Sequence, residues 1–328
     1  MISRRQFSQA VAVAGLAAPL VTTATAHAST PSWGPVKQVR AGLLDIGYVE
    51  IGPADGPVTI LLHGWPYDVH SYVDVAPALA ARGQRVLIPY LRGYGPTRFL
   101  HARTMRNGQQ SALAADVIAF MDALKIRKAT VAGFDWGART ACITAALWPE
   151  RVKALVSVSG YLVVNLQQNQ EPLSPQAELG WWYQYYFATD RGVKGYEQNS
   201  YEFNKLIWKL ASPQWNFDEA TYAQSATAWK NPDHVAIVIH NYRWRLQLAQ
   251  GEHRYDGLER KLQAKPVISV PTITIASDFD GPNKDGMAYR KQFSGRYEHR
   301  ILDGIGHNVP QEAPEAFTKA VLDISSGA

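Results

Sequence analysis

The run Val58-Thr59-Ile60-Leu61-Leu62, ending at His63-Gly64, is apolar on both faces of any strand it could form. Such a strand is stable inside a sheet that is covered on both sides, as parallel sheets are. Runs of the same kind recur at residues 85–88, 129–132, 154–158 and 272–276, with a last one at 299–302. The alternating pattern over 39–51 reads as two short strands of a hairpin. Helical periodicity fills the gaps, notably at 111–124, 138–148 and 314–324. Alternating strands and helices predict an α/β fold with a mostly parallel central sheet and helices on both faces.

The alternation stops over 161–265, where Tyr, Trp, Gln and Asn dominate and buried-strand runs are absent. This stretch is expected to be a helical lid inserted into a core made of 29–160 and 266–328. It holds six of the ten tryptophans, Trp181, Trp182, Trp208, Trp215, Trp229 and Trp244. Most of them are expected to cement lid to core, because aromatics dominate core burial.

Residues Ser3-Arg4-Arg5-Gln6-Phe7 precede a short apolar run over 10–21 and then Ala26-His27-Ala28. The pattern resembles a twin-arginine export signal, with removal of 1–28. The resemblance implies a bacterial protein that meets the twin-arginine export machinery and works in the periplasm or outside the cell. The apolar run falls short of the ~20 residues a spanning helix needs, so no stable membrane association is expected. The formal charge is +5, and Arg4 and Arg5 account for two of it. With no Lys/Arg cluster to track a phosphate backbone, nucleic acid is not an expected partner. A lone Cys142 excludes an internal disulfide framework and a cysteine-based zinc site.

The strand at 129–132 runs into Gly133-Phe134-Asp135-Trp136-Gly137 and then into a helix. Glycines on either side permit a strained turn that lifts one side chain above the sheet, as in a nucleophile elbow. Here that side chain is an aspartate. The loop His63-Gly64-Trp65-Pro66 is placed to present the backbone N–H of Trp65 to the same spot as that of Trp136, a two-donor oxyanion hole. Ser277-Asp278-Phe279-Asp280-Gly281-Pro282 follows another strand, and Gly304-Ile305-Gly306-His307-Asn308 follows the last. The chain order nucleophile, acid, histidine is that of the α/β-hydrolase triad. Either Asp278 or Asp280 suits the acid, and Asp280, just before a Gly-Pro turn, is the choice.

A carboxylate of reference pKa near ~3.9 is ionised at neutral pH and attacks without a base. Its natural target is an sp³ carbon bearing a leaving group, which gives an alkyl ester on Asp135. His307 then activates water against that ester. No metal or organic cofactor is implied, since His63, His307 and the carboxylates lack ligand spacing.

Over nearly all of the sequence beyond the signal, the chain resembles the epoxide hydrolases of the α/β-hydrolase superfamily. In that family two lid tyrosines grip the epoxide oxygen. Tyr183-Gln184-Tyr185-Tyr186-Phe187 looks like the segment holding the first, and Asn241-Tyr242-Arg243 like that holding the second. The resemblance implies Tyr183 and Tyr242 as proton donors, with Tyr185 and Tyr186 as rivals of Tyr183. Trp65, Trp136, Trp182 and Tyr186 are expected to line the pocket, and the aromatic lid suggests an apolar or aryl-bearing epoxide. The chain departs from the family pattern at Phe134, where many relatives have His, and at Tyr90, where Asp is usual; Arg92 and Asp68 are expected to be structural. Haloalkane and haloacetate dehalogenases share the elbow aspartate. Trp136 resembles the indole that holds halide in the former, and Arg139 the carboxylate partner in the latter, although no second arginine sits beside Asp135. A ligand-binding scaffold without turnover is the third reading.

Overall fold

The structure, a computed structural model, describes residues 33–327. The export-signal reading of 1–28 lies outside the described residues.

The apolar runs form one sheet. Its strands are β1 (Lys37–Ala41), β2 (Leu44–Ile51), β3 (Val58–Leu62), β4 (Arg85–Pro89), β5 (Arg98–Phe99), β6 (Ala129–Gly133), β7 (Val152–Val158), β8 (Thr272–Ser277) and β9 (Tyr297–Leu302). They lie in the order β1-β2-β4-β3-β6-β7-β8-β9, with the short β5 on β2. From β4 through β9 the neighbours are parallel, and the β1–β2, β2–β4 and β2–β5 pairs are antiparallel. The sheet is therefore the mostly parallel one the alternation predicts. Every residue of β6 and β8 is buried, whereas none of β9 is: the run at 299–302, expected to be buried, lies at the sheet edge, with Glu298 and Ile301 exposed.

Helices α1 (Val75–Ala80), α2 (Gln110–Ala123) and α3 (Trp136–Leu147) come before the insertion. Between β7 and β8 the chain forms α4 (Pro175–Gly180), α5 (Trp182–Ala188), α6 (Asp190–Ala211), α7 (Glu219–Ala226), α8 (His234–Arg245) and α9 (Asp256–Gln263). After β9 come α10 (Val309–Glu312) and α11 (Pro314–Ser326). Helices α3 and α11 both pack on β6 and β7, α3 in company with α2 and α11 with α1, which covers the two faces of the sheet. No described helix is long and apolar enough to cross a membrane.

The helices of the insertion start where the chemistry allows: Thr189 caps α6 through the Gly192 N–H, and Asp218 caps α7 through the Thr221 N–H. Trp208 on α6 fastens them to the core. Its indole donates to the Pro66 carbonyl at 2.8 Å and stacks on Tyr67 and Trp215. Arg92 and Asp68 are structural, as expected. Arg92 is buried on Asp116 and on the carbonyls of Asn107 and Ala112, and Asp68 holds the His70 ring and N–H.

The order of strands changes direction at β3, whose neighbours are β4 and β6. The crevice beyond the carboxyl ends of strands at such a switch is where open α/β sheets build sites. Both Trp65 and Asp135 lie just past those ends.

Candidate active site

Asp135 joins β6 to α3 at φ +53° and ψ −126°, a conformation that costs an L residue energy and is held only by surrounding structure. That surrounding structure needs glycine: a Cβ on Gly137 would collide with the Leu62 carbonyl, and one on Gly64 with the Asp135 side chain. The strained turn aims the carboxylate into a cavity of about 250 Å³.

The two carboxylate oxygens have different partners. Oδ1 accepts the Trp65 N–H at 2.7 Å, and Oδ2 stands 3.1 Å from His307 Nε2. The Trp136 N–H, next in the chain, adds to the pull that keeps this carboxylate ionised. Of the two backbone donors expected to form an oxyanion hole, Trp65 hydrogen-bonds Asp135. Burial pushes the Asp135 carboxyl up, but the hydrogen bond and charge of His307, the Arg139 cation and the Trp136 N–H outweigh it. The carboxyl is left below its ordinary range and is ionised at neutral pH.

His307 sits between β9 and α10, and its own backbone fixes its loop. The His307 N–H donates to Ser212 Oγ at 2.9 Å, and the Ser212 hydroxyl donates to Glu312 at 2.6 Å. Glu312 also accepts the N–H groups of Gly306 and Asn308. The imidazole lies against Phe279, ring centroids 4.1 Å apart, and meets Phe134 edge-on at 6.1 Å. Phe134 therefore serves as an apolar wall for this histidine.

Neither candidate acid bonds His307. Asp280 Oδ2 accepts the Ser277 N–H at 2.8 Å within a capping box, and His307 Nδ1 is enclosed without a hydrogen-bond partner among the described residues. Asp278 faces outward, holding Lys284 and the Gly304 N–H. The expectation that Asp280 orients the imidazole is thus corrected for this conformation: the local turn takes its carboxylate, and the Phe279 ring occupies the face of the histidine. His63 is structural. Its Nε2 accepts the Leu91 N–H and its Nδ1 meets the Gly64 carbonyl, and burial pushes its pKa down to about 4.

Tyr183 on α5 and Tyr242 on α8 meet at 5.4 Å with rings nearly perpendicular, and each also packs on Trp65. Burial pushes both phenols up, the Asp135 charge adds to the effect, and Arg245 and Arg139 oppose it. Both therefore stay protonated. Tyr185 points outward and donates to Glu178, and Tyr186 stacks on Phe203 at 5.8 Å. Of the three neighbouring tyrosines, Tyr183 shares the cavity wall with Asp135 and His307.

Trp65 and Trp182 line this cavity, as expected. Tyr186 and Trp136 do not: α6 covers Tyr186 through Phe203, and the Trp136 indole is 1% exposed between Tyr94 and Tyr242. Sequence reasoning missed Trp181, Ile207, Leu210 and Phe279, which complete the apolar wall. The Trp181-Trp182 doublet and the Phe between two candidate acids were the available signals. A hydrogen-bonded chain behind Trp65 was missed too. The Trp65 indole donates to Tyr196, whose hydroxyl meets His234 at 2.9 Å, and His234 in turn meets the Gly93 carbonyl.

Residues 57–310 match the family model for the alpha/beta hydrolase fold. An epoxide hydrolase of Caballeronia sordidicola is 33% identical over 299 residues, 81% of this chain and 87% of that protein. Epoxide hydrolase A of Mycobacterium tuberculosis is 27% identical over 85% of this chain and 93% of its own length. A crystal structure of a candidate epoxide hydrolase from Klebsiella pneumoniae superposes with a TM-score of 0.87 at 61% identity, over 89% of this chain and 97% of that one.

Proposed function

Since the chain is a hydrolase of the alpha/beta hydrolase fold family, with relatives named epoxide hydrolases, we propose that it opens apolar or aryl epoxides to vicinal diols through an ester on Asp135. The observation that carries this reading is the division of labour at Asp135, with Oδ1 on the Trp65 N–H and Oδ2 toward His307 and the cavity.

Oδ2 attacks an epoxide carbon, the C–O bond breaks, and its electron pair goes to the ring oxygen, which takes a proton from Tyr183 or Tyr242. His307 Nε2 then removes a proton from water as the water oxygen adds to Cγ of the ester. The negative charge develops on Oδ1, where the Trp65 N–H already points, with the Trp136 N–H as the second donor. Collapse expels the alkoxide at Oδ2, which takes the proton from His307 and leaves as the diol, and the second proton of the water, left on the new carboxyl, returns to the tyrosinate. Epoxide and water give diol, and the carboxylate returns with one oxygen from water. For His307 to hold its proton, Asp280 must turn from Ser277 toward Nδ1, which is enclosed without a partner.

The same aspartate would serve a haloalkane dehalogenase. The protonated Tyr183 phenol on the cavity wall, with Tyr242 packed behind it, favours the epoxide, because a departing halide needs no proton. The Trp136 indole, the halide donor in that other reading, stands outside the cavity lining. The Asp135–His307 hydrogen bond inside the cavity speaks against a mere ligand binder. Export of the folded enzyme, with action in the periplasm or outside the cell, is part of the proposal and rests on the signal-like pattern at 1–28 alone.

The test is diol formation from a small aryl epoxide such as styrene oxide. The native protein should form the diol, and Asp135→Asn should lose turnover by about a thousandfold or more while keeping its fold. Steady turnover by that variant would contradict the reading.

A further inference from the structure

A second cavity, of about 320 Å³, lies across Trp181 from the first and is lined by Arg139, Arg245, Asn165, Gln168 and Asn169 together with apolar groups. Trp181 borders both cavities. No carboxylate lines the second one. Arg139 stands one helical turn past Asp135 on α3, and Arg245 comes from the end of α8, three residues past Tyr242.

Among the described residues neither guanidinium has a hydrogen bond or an ion pair, and the Asp135 charge acts on Arg139 only at longer range. Nε of Arg139 and Nε of Arg245 are both enclosed without a hydrogen-bond acceptor, and neither side chain forms an ion pair with a described residue. Arg245 is only 9% exposed, and its guanidinium carbon lies 5.8 Å from the ring centroids of both Trp181 and Tyr242. Buried cations are ordinarily paired, and arginine presents a planar fork that fits a carboxylate bidentately. Burial and the neighbouring Arg245 charge push the Arg139 guanidinium down to about 10, and an anion between the two would relieve both costs. Asn165 and Asn169 are spoken for, their amides donating to the Gln263 and Arg245 carbonyls, so the unmatched donors belong to the arginines.

From the two unpartnered arginines in one acid-free cavity, we infer that Arg139 and Arg245 form a carboxylate-binding site behind Trp181. The carboxylate belongs either to the substrate, as a tail reaching past Trp181 while the epoxide faces Asp135, or to a separate small acid. The substrate-tail source rests on the proposed epoxide chemistry, and the separate-acid source does not.

The experiment compares trans-3-phenylglycidate with its primary amide, two epoxides that differ by one charge, and also follows the Tm of the protein with added benzoate. We expect the native protein to favour the acid in kcat/KM. Arg245→Met should cut that preference about tenfold or more, the scale of one charge-assisted bidentate contact. Gln168→Glu keeps both arginines and brings a carboxylate to the lining; it should cut the preference too, which guards against a folding defect in Arg245→Met. Acid preference that both variants reduce assigns the site to the substrate's own tail. A benzoate-dependent rise in Tm that Arg245→Met abolishes, without acid preference, assigns it to a separate acid. The absence of both effects overturns the site. The benzoate arm needs no turnover, so benzoate binding in a protein that opens neither epoxide would sink the activity reading and leave the site standing.

Discussion

The Trp65 backbone N–H reaches Oδ1 of Asp135 at 2.7 Å. In the proposed reaction this oxygen sits where oxyanion charge is stabilised, and the other is left to attack. The consequence is an oxygen count. In a single turnover in ¹⁸O-water, with enzyme in excess over an aryl epoxide, the diol should carry no label and Asp135 should gain one labelled oxygen. Mass spectrometry of the diol and of the peptide containing Asp135 checks this. Label in the diol from the first turnover would mean that water attacks the epoxide directly.

Tyr183 lines the cavity, and Tyr242, buried and outside that lining, packs behind it with ring centroids 5.4 Å apart. Removing either should slow formation of the ester while the other still donates, by about tenfold to a hundredfold, within the range general acids supply. Tyr183→Phe combined with Tyr242→Phe should cost more than either alone. Single-turnover kinetics separates this step from ester hydrolysis, which should be unchanged. Equal slowing of both steps in Tyr242→Phe would point to a packing defect.

Acid should destabilise this fold in a window set by buried histidines. Burial pushes His63 down to about 4 and His234 to about 3, and it lowers His240 as well. Below the ordinary histidine pKa of ~6.5 the unfolded chain takes up protons that the folded one refuses. Stability therefore falls as pH drops from ~6.5 toward ~4, by about 1.4 kcal/mol per pH unit for each fully buried histidine. His70, raised beside Asp68, has the opposite sign and acts above this window, because its contribution is complete below ~6.5. Asp135 and Glu50 are lowered, so their contributions are lost only as pH falls below the ordinary carboxylate range. Urea unfolding at several pH values between 6.5 and 4.5 should show the slope, and His234→Gln should flatten it by one histidine's share. An unchanged slope in that variant would refute the assignment.

The parts of the fold and site that were legible in the sequence share a local cause. Buried strands such as β3 and β8 announce themselves because both faces are covered, and the elbow shows because only glycine fits beside Leu62 and Asp135. The rest depends on contacts between distant segments. Residues 183, 186 and 187 share one side of α5, while Tyr185 faces away; α6 then claims Tyr186 through Phe203, which periodicity alone does not foretell. Arg245, at the end of α8, comes to the cavity that Arg139 lines only through the folding of segments far apart in sequence, which local pattern does not reveal. The turn at Asp280 closes on Ser277, a local capping preference that competes with the long-range pairing to His307.

The covalent ester on Asp135 is the central claim, and the intact mass of His307→Gln after exposure to a small aryl epoxide tests it most directly. With the base removed, the ester should form and persist. The account predicts a gain equal to one whole epoxide, absent when Asp135→Asn is added to the same protein. A folded His307→Gln protein that gains no mass from any of several aryl epoxides would contradict it.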